Sequence, residues 1–209
     1  TYKNLLDSTS LKCFFDIGAN YGAHSLLFLT QGVQTISFEP NNSLNIHFEL
    51  FCQANNVTGK MENLAVGEKQ GIAKLQFPSD ATWLGTIVES EATILKASHQ
   101  LKSIEVPLVT LDQYVQEKGI EPDLIKIDTE GNEINVLRGA RELLRRKRPL
   151  VIFESNTNKE RPAVWSFLDE VGYIVCNLPY RKEEKKDVLT SDAFIISPKF
   201  NFIAIPNQA

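Results

Sequence analysis

Cysteine is scarce: Cys13, Cys52 and Cys176 are odd in number, far apart and without a C-x-x-C spacing. That excludes a disulfide framework and a zinc ribbon. Each lies in an apolar run, the setting of buried free thiols in a reducing compartment. No apolar run approaches the ~18 residues that span a bilayer, and nothing N-terminal resembles a signal peptide. A basic excess is also missing. The 209 residues carry 22 Lys plus Arg against 26 Asp plus Glu, a formal charge of −4. This argues against a nucleic-acid partner, because phosphate binding favours a basic face. The expectation is a cytoplasmic protein with no membrane partner and no signalled oligomeric state. Its length suits one domain over residues 1–209 whose core needs neither disulfide nor metal.

What the chain does have is alternation. Leu11 to Ile17 reads as a buried strand that ends abruptly at Gly18–Gly22, and a helix with Leu26, Leu27 and Leu29 then runs to Gly32. Thr35–Phe38 is a second strand ending at Glu39 and Pro40. A helix carrying Leu44, Phe48, Phe51 and Ala54 follows, then a strand from Met61 to Val66. This βαβαβ order predicts an α/β fold, a doubly wound, parallel sheet with helices on both faces. The middle breaks the rhythm. Residues 73–77 and 104–109 read as strands, while 78–103, with Trp83 and Gly85, shows no sustained period and reads as a cap loop over a site. Alternation resumes with a helix from Thr110 to Gly119, a strand at Leu124–Asp128, a helix at Glu133–Arg146 and a strand at Pro149–Glu154. A helix at Arg161–Val171 and strands at Tyr173–Cys176 and Phe202–Ile205 complete it. The mixed-sign run 181–186 reads as a solvated loop. Arg145–Arg148 reads as a dipole-favoured helix end, with a docking patch for an anionic partner as the alternative.

Ligands of an open parallel sheet bind beyond the carboxyl ends of its strands. The first such end is a D-x-G-x-x-x-G turn of Asp16, Gly18 and Gly22. It has one glycine fewer than the dinucleotide fingerprint, and its acid would repel a pyrophosphate but suits a cationic ligand bearing an amino group. At the second tip, Glu39 can accept both hydroxyls of a ribose. At the third, Asn63–Gly67 offers a small residue and an amide where an adenine can lie.

These segments are joined by Val109–Asp112, a K-I-D-T-E-G-x-E block at 126–133, V-L-R-G-A at 136–140 and Ile152–Glu154. Together they resemble class I S-adenosylmethionine-dependent methyltransferases and, within them, the FkbM family. The resemblance runs from about Phe14 to Glu154, and the 126–140 block is its most specific part. Members commonly carry Ala where this chain has Asn132, a departure expected to be tolerated at a helix start. The resemblance implies a mostly parallel seven-stranded sheet with a reversed last strand, to which the extra strands and cap read at about 70–109 would be added. It also implies S-adenosyl-L-methionine as cofactor and methyl transfer, usually to a hydroxyl oxygen, here of a small-molecule or glycan acceptor. Carried over by residue, Gly18, Ala19, Asn20, Tyr21 and Gly22 wrap the methionine portion with Asp16 near its ammonium. Glu39, followed by Pro40, holds the ribose, and Leu64 and Ala65 border the adenine.

Lys126 and Asp128 share one face of a strand, where charges are costly unless paired or placed at the open tip. The structural alternative is an internal ion pair or a helix cap at Asp128, Thr129 or Asn132. The functional reading sets Asp128, with Lys126, at the methyl-transfer site beside Glu130 and Glu154, one carboxylate acting as base. A divalent cation held by Asp128, Glu154 and Asn156 is a less favoured way to acidify the acceptor hydroxyl. Trp83 is expected either to cap the acceptor or to fill the core, and His24 either to face the substrate or to be satisfied locally. Two rivals remain at this stage: an NAD-type oxidoreductase on a similar sheet, and a non-catalytic module that retains the cofactor pocket.

Overall fold

The computed structural model describes all residues except 9, 157–158, 182–186 and 208–209, so most of the charged run at 181–186 lies outside the described residues. In chain order the strands are β1 (Cys13–Ile17), β2 (Gln34–Phe38), β3 (Lys60–Glu62), β4 (Ala65–Val66), β5 (Gly71–Pro78), β6 (Leu101–Val109), β7 (Leu124–Ile127), β8 (Leu150–Glu154), β9 (Tyr173–Asn177) and β10 (Asn201–Pro206). The α-helices are α1 (Tyr2–Ser8), α2 (Ala23–Leu29), α3 (Asn45–Ala54), α4 (Glu89–Lys96), α5 (Leu111–Lys118), α6 (Glu133–Arg138), α7 (Arg141–Arg146), α8 (Arg161–Glu170) and α9 (Ser191–Ile195).

Side chains alternate between the two faces of a strand, and here both faces are apolar. Cys13, Phe15 and Ile17 join the core beneath α5 to α8, whereas Phe14 packs with Leu5 of α1 and Phe28 of α2 on the opposite face. The main sheet has seven strands in the order β3-β2-β1-β7-β8-β10-β9. The pairs from β3 through β8 are parallel, and β10 runs antiparallel to both β8 and β9. The expected reversed last strand is therefore present. A three-stranded sheet, β4-β6-β5, stands beside it, built on the antiparallel β5–β6 pairing.

Several expectations need correction. The strand expected from Met61 to Val66 is two elements: β3 closes the main sheet, while β4 pairs with β6. In α2 the buried residues are Ser25 and Phe28, and Phe51 in the 3–4 stripe of α3 is exposed while Cys52 is buried. The expected 133–146 helix is broken at Gly139. A Cβ there would stand 2.0 Å from the Gly67 carbonyl oxygen, so only glycine lets the chain approach β4 so closely. Asp112 of α5 then caps the new helix from outside, its carboxylate accepting from the Glu142 and Leu143 amides at 3.0 and 2.8 Å. The aperiodic 78–103 stretch contains α4, whose only buried residue is Ala92, too thin a stripe to leave a period. The helix α1 was not anticipated.

Each residue of the basic run at 145–148 is tied down within the chain. Arg145 pairs with Glu170, Arg146 with Glu121 and Lys147 with Asp123, and Arg148 donates to the carbonyls of Gly172 and Asn207. That supports the helix-end reading over a docking patch. Among the described residues no helix is long and apolar enough to cross a membrane.

Candidate active site

Beyond the carboxyl ends of β1, β2 and β7 lies a cleft walled on the far side by Leu75, Thr82, Trp83, Gly85 and Ile87 from the smaller sheet and its following segment. Its floor is set by the β1 turn. Gly18 has φ 77°, and a Cβ there would fall 1.8 Å from the Asp128 carbonyl oxygen. Glycine thus brings the tips of β1 and β7 into direct contact, and both Gly18 and Asp128 line the cleft.

Glu39 is the most constrained acid at this edge. It is buried and faces the cleft, and its two carboxylate oxygens accept from the Asn20 amide at 2.9 Å and the Asn41 amide at 2.8 Å. Burial pushes its carboxyl up to about 7 despite those two bonds. Three further polar atoms, Asn20 Oδ1, Asn41 Nδ2 and Thr82 Oγ1, are buried and have no partner among the described residues, and all three residues line the cleft. Buried polar groups are normally satisfied, so a wall with three open positions beside a carboxylate is built for a polar ligand.

Asp16 takes a different place from that cleft wall. It is fully buried, and one oxygen accepts from the Ser25 amide and hydroxyl at 3.1 and 2.7 Å, anchoring the first turn of α2; the other oxygen has no partner among the described residues. Of the turn residues, Gly18 and Asn20 line the cleft with Pro40, Leu64 and Ala65, whereas Ala19, Tyr21 and Gly22 do not. Tyr21 packs edge-on against His47.

The acids of the 126–133 block gather at the β7 and β8 tips. Asp128, Glu130 and Glu154 each present an oxygen within 4.8 Å of the others. Lys126, almost fully buried, donates to Asp128 at 2.8 Å and lies in register with Asp16 across β1 and β7. The internal ion pair of the structural reading is present, and Asp128 also lines the cleft. Burial would raise Asp128, but Lys126 and a hydrogen bond from Glu154 hold it below the ordinary carboxylate range. Glu154 goes the other way, to about 8, through burial and its bond to Asp128. Glu130 rises to about 7 through burial and the neighbouring Asp128, Glu133 and Glu91. Neighbouring carboxylates with opposed shifts are the electrostatic pattern of an acid–base site.

Trp83 stands 56% exposed on the cleft wall, which removes the core-filling alternative. His24 is half-buried against the Tyr2 ring, with burial and the Lys126 charge lowering its pKa, and it does not line the cleft. Asn156 is exposed beside a smaller recess shared with Glu130 and Glu160. Glu130 completes a carboxylate trio with Asp128 and Glu154. Sequence reading missed Asn41 and Thr82, and the roles that Asn132 and Glu133 take. Asn132 donates to the Val66 carbonyl at 2.8 Å and makes no side-chain cap. Glu133 accepts from the Thr129 amide and hydroxyl and the Gly131 amide, holding the β7 turn closed. A polar pair directly after Pro40 was the available signal for Asn41.

A seven-stranded sheet with one reversed strand, and a buried acid at its second tip facing a polar-walled cleft, define the class I methyltransferase type of fold. The chain belongs, within it, to the Methyltransferase FkbM domain family, whose profile matches residues 16–175. It is similar to the 31-O-demethyl-FK506 methyltransferase FkbM of Streptomyces tacrolimicus, at 25% identity over 61% of this chain and 59% of that protein. The chain thus spans little more than half the length of that relative. Among solved structures, it resembles methyltransferase FkbM from Methylobacillus flagellatus KT with a TM-score of 0.55, 14% identity and coverage of 93% of this chain and 43% of that one. Ribosomal protein L11 methylase from Lactobacillus delbrueckii subsp. bulgaricus gives 0.51, at 9% identity over 97% and 75%. At these identities the structural likeness concerns the fold.

Proposed function

We propose that the protein is an S-adenosylmethionine-dependent methyltransferase acting on a hydroxyl oxygen of a small-molecule or glycan acceptor. Glu39 carries the reading: a buried carboxylate, held by the Asn20 and Asn41 amides, faces a cleft with unsatisfied polar walls. Family membership and the FkbM relative's printed activity support it. Glu39 would accept the two ribose hydroxyls, Leu64 and Ala65 would border the adenine, and Asn20, Asn41 and Thr82 have free positions for the remaining polar edges. The acidic β1 and β7 tips favour a ligand carrying positive charge.

When bound, S-adenosylmethionine supplies an electrophilic methyl on a sulfonium that leaves as a neutral thioether. The chain's own task is to align the acceptor oxygen in line with that methyl and to take its proton. Asp128 and Glu130 line the cleft, and the Glu154 carboxylate lies within 4.8 Å of theirs, so this trio would serve that task. The Asp128–Glu154 pair passes one proton between its oxygens, and Lys126 stabilises its ionised form. The same trio offers hard oxygen ligands to a divalent cation, which this reading does not require. Trp83 covers the acceptor side. Neither nucleic acid nor membrane enters the proposal.

Isothermal titration with S-adenosylhomocysteine tests the first step. Wild type is expected to bind, and Glu39→Ala to bind at least about tenfold more weakly, ~1.4 kcal/mol. Unchanged affinity would move the ribose site elsewhere. A second expectation concerns pH. The ribose hydroxyls donate to ionised Glu39, so binding expels the proton that Glu39 holds below about 7. Affinity should therefore tighten about tenfold from about pH 6 to about pH 8, and Glu39→Gln should flatten that slope. A wild-type profile as flat as the variant's would exclude the assignment.

A further inference from the structure

We propose that Thr86 is a positioning residue: its hydroxyl ties the cap segment to the β7 turn and fixes where Glu130 presents its carboxylate.

The turn needs such a tie. Glu130 has φ 51° and Gly131 φ 94°, consecutive left-handed positions of which only the second suits its residue. A glutamate there is strained and persists only if its surroundings hold it. One side is held by Glu133, which accepts from the Thr129 and Gly131 amides at 2.9 and 3.3 Å. The Glu130 carbonyl is held by Thr86, whose Oγ1 donates to it at 2.9 Å across a sequence separation that no local turn could bridge. The same oxygen accepts from the Val88 amide at 3.1 Å, which orients it. Thr86 itself is 1% exposed and locked to β5 by paired main-chain bonds with Gln76 at 2.9 and 3.0 Å.

A second contact interlocks the same parts. Glu91 of α4 packs on Gly131 so closely that a Cβ at 131 would meet its Cγ at 2.7 Å. The segment just before Thr86 lines the cleft through Trp83 and Gly85, opposite Asp128 and Glu130. One hydroxyl thus links the wall that covers the ligand to the turn that carries a reacting carboxylate.

The test compares wild type with Thr86→Val, Thr86→Ala and Thr86→Ser. Hydrogen–deuterium exchange over 129–133, with β7 as internal control, needs no activity. Labelled-methyl transfer and S-adenosylhomocysteine affinity are read alongside, and this arm rests on the proposed methyl transfer. Expected for Val and Ala are exchange at the turn faster by about tenfold or more, kcat lower by about tenfold, and cofactor affinity within about twofold of wild type. Ser should restore both. Wild-type exchange and kcat in the Val and Ala variants would overturn the proposal. So would failure of Ser to restore them, a parallel loss of cofactor affinity, or global unfolding of Val and Ala alike, which would make Thr86 a core residue. If the wild type itself transfers no methyl group, the methyltransferase reading fails, and the exchange arm still decides the role of Thr86.

Discussion

Glu154→Gln is expected to lower turnover by about 100-fold or more while leaving the melting temperature at about pH 4 within about 2 °C of wild type. The two effects separate because Glu154, raised to about 8 by burial and by its bond with Asp128, is already protonated at rest. Glutamine has the same shape, keeps a donor toward Asp128 and adds no charge, so the resting site is preserved. What disappears is the proton the pair can exchange, and Asp128, held low by Lys126, is left as a weak base. The sign of the pH effect on stability follows. A carboxyl whose folded value is raised stabilises the protein fully below the ordinary carboxylate range and loses that contribution as pH rises through about 8. The glutamine variant keeps it, so its margin over wild type should open as pH rises above the ordinary carboxylate range and level off above about pH 8. Melting scans across that range, with single-turnover methyl transfer at pH 7, check both statements. Normal turnover would remove Glu154 from the chemistry.

Arg161→Ala should give the largest loss of stability. Arg161 is 1% exposed, and its guanidinium donates to five main-chain carbonyls: Phe194, Ile195 and Ser197 at 3.1, 3.3 and 2.6 Å, and Ser155 and Lys199 at 2.8 and 2.6 Å. It also lies over the Phe194 and Phe202 rings. Removing it leaves the buried carbonyls unsatisfied and a cavity beside two aromatics, a loss of roughly 4 kcal/mol, or about 8–16 °C in Tm for a chain of this size. Arg161→Met fills the space without the donors and should recover only the packing part. Ser155 follows Glu154 directly, and its amide donates to the Phe200 carbonyl at 2.7 Å, so this arginine also fastens the β8 tip to the 194–200 segment. A loss below about 1 kcal/mol in denaturant titration would show that water replaces those donors.

The legible parts of the molecule were those governed by period and by strand tips. β1, β2, β7 and β8 are fully or nearly buried runs, and acids at their ends stand out against apolar neighbours. Glu39 and Asp128 were readable for that reason, as was the trio with Glu130 and Glu154. The resemblance contributed the reversed strand, which no local pattern marks. Three kinds of feature stayed hidden. Helices with a narrow contact stripe, such as α1 and α4, leave no sustained period. A helix break at Gly139 depends on how near Gly67 lies, a contact across the fold. Tertiary hydrogen bonds from Thr86, Asn132 and Arg161 come from ordinary residues in ordinary places, and their partners are set only once the sheet has assembled. Asp16 was legible as important, but its first duty is local, to Ser25 at the start of α2.

The most direct measurement is transfer of a labelled methyl group from S-adenosylmethionine to a panel of hydroxylated small molecules and glycans, with and without Mg²⁺, by wild type and Glu39→Ala. Label should appear in a base-stable methyl ether with wild type, and fall by at least about tenfold with Glu39→Ala at subsaturating cofactor. A wild-type protein that binds S-adenosylhomocysteine tightly yet labels no hydroxyl acceptor under either condition would contradict O-methyl transfer, and one that binds a nicotinamide dinucleotide in its place would contradict the methyltransferase reading altogether.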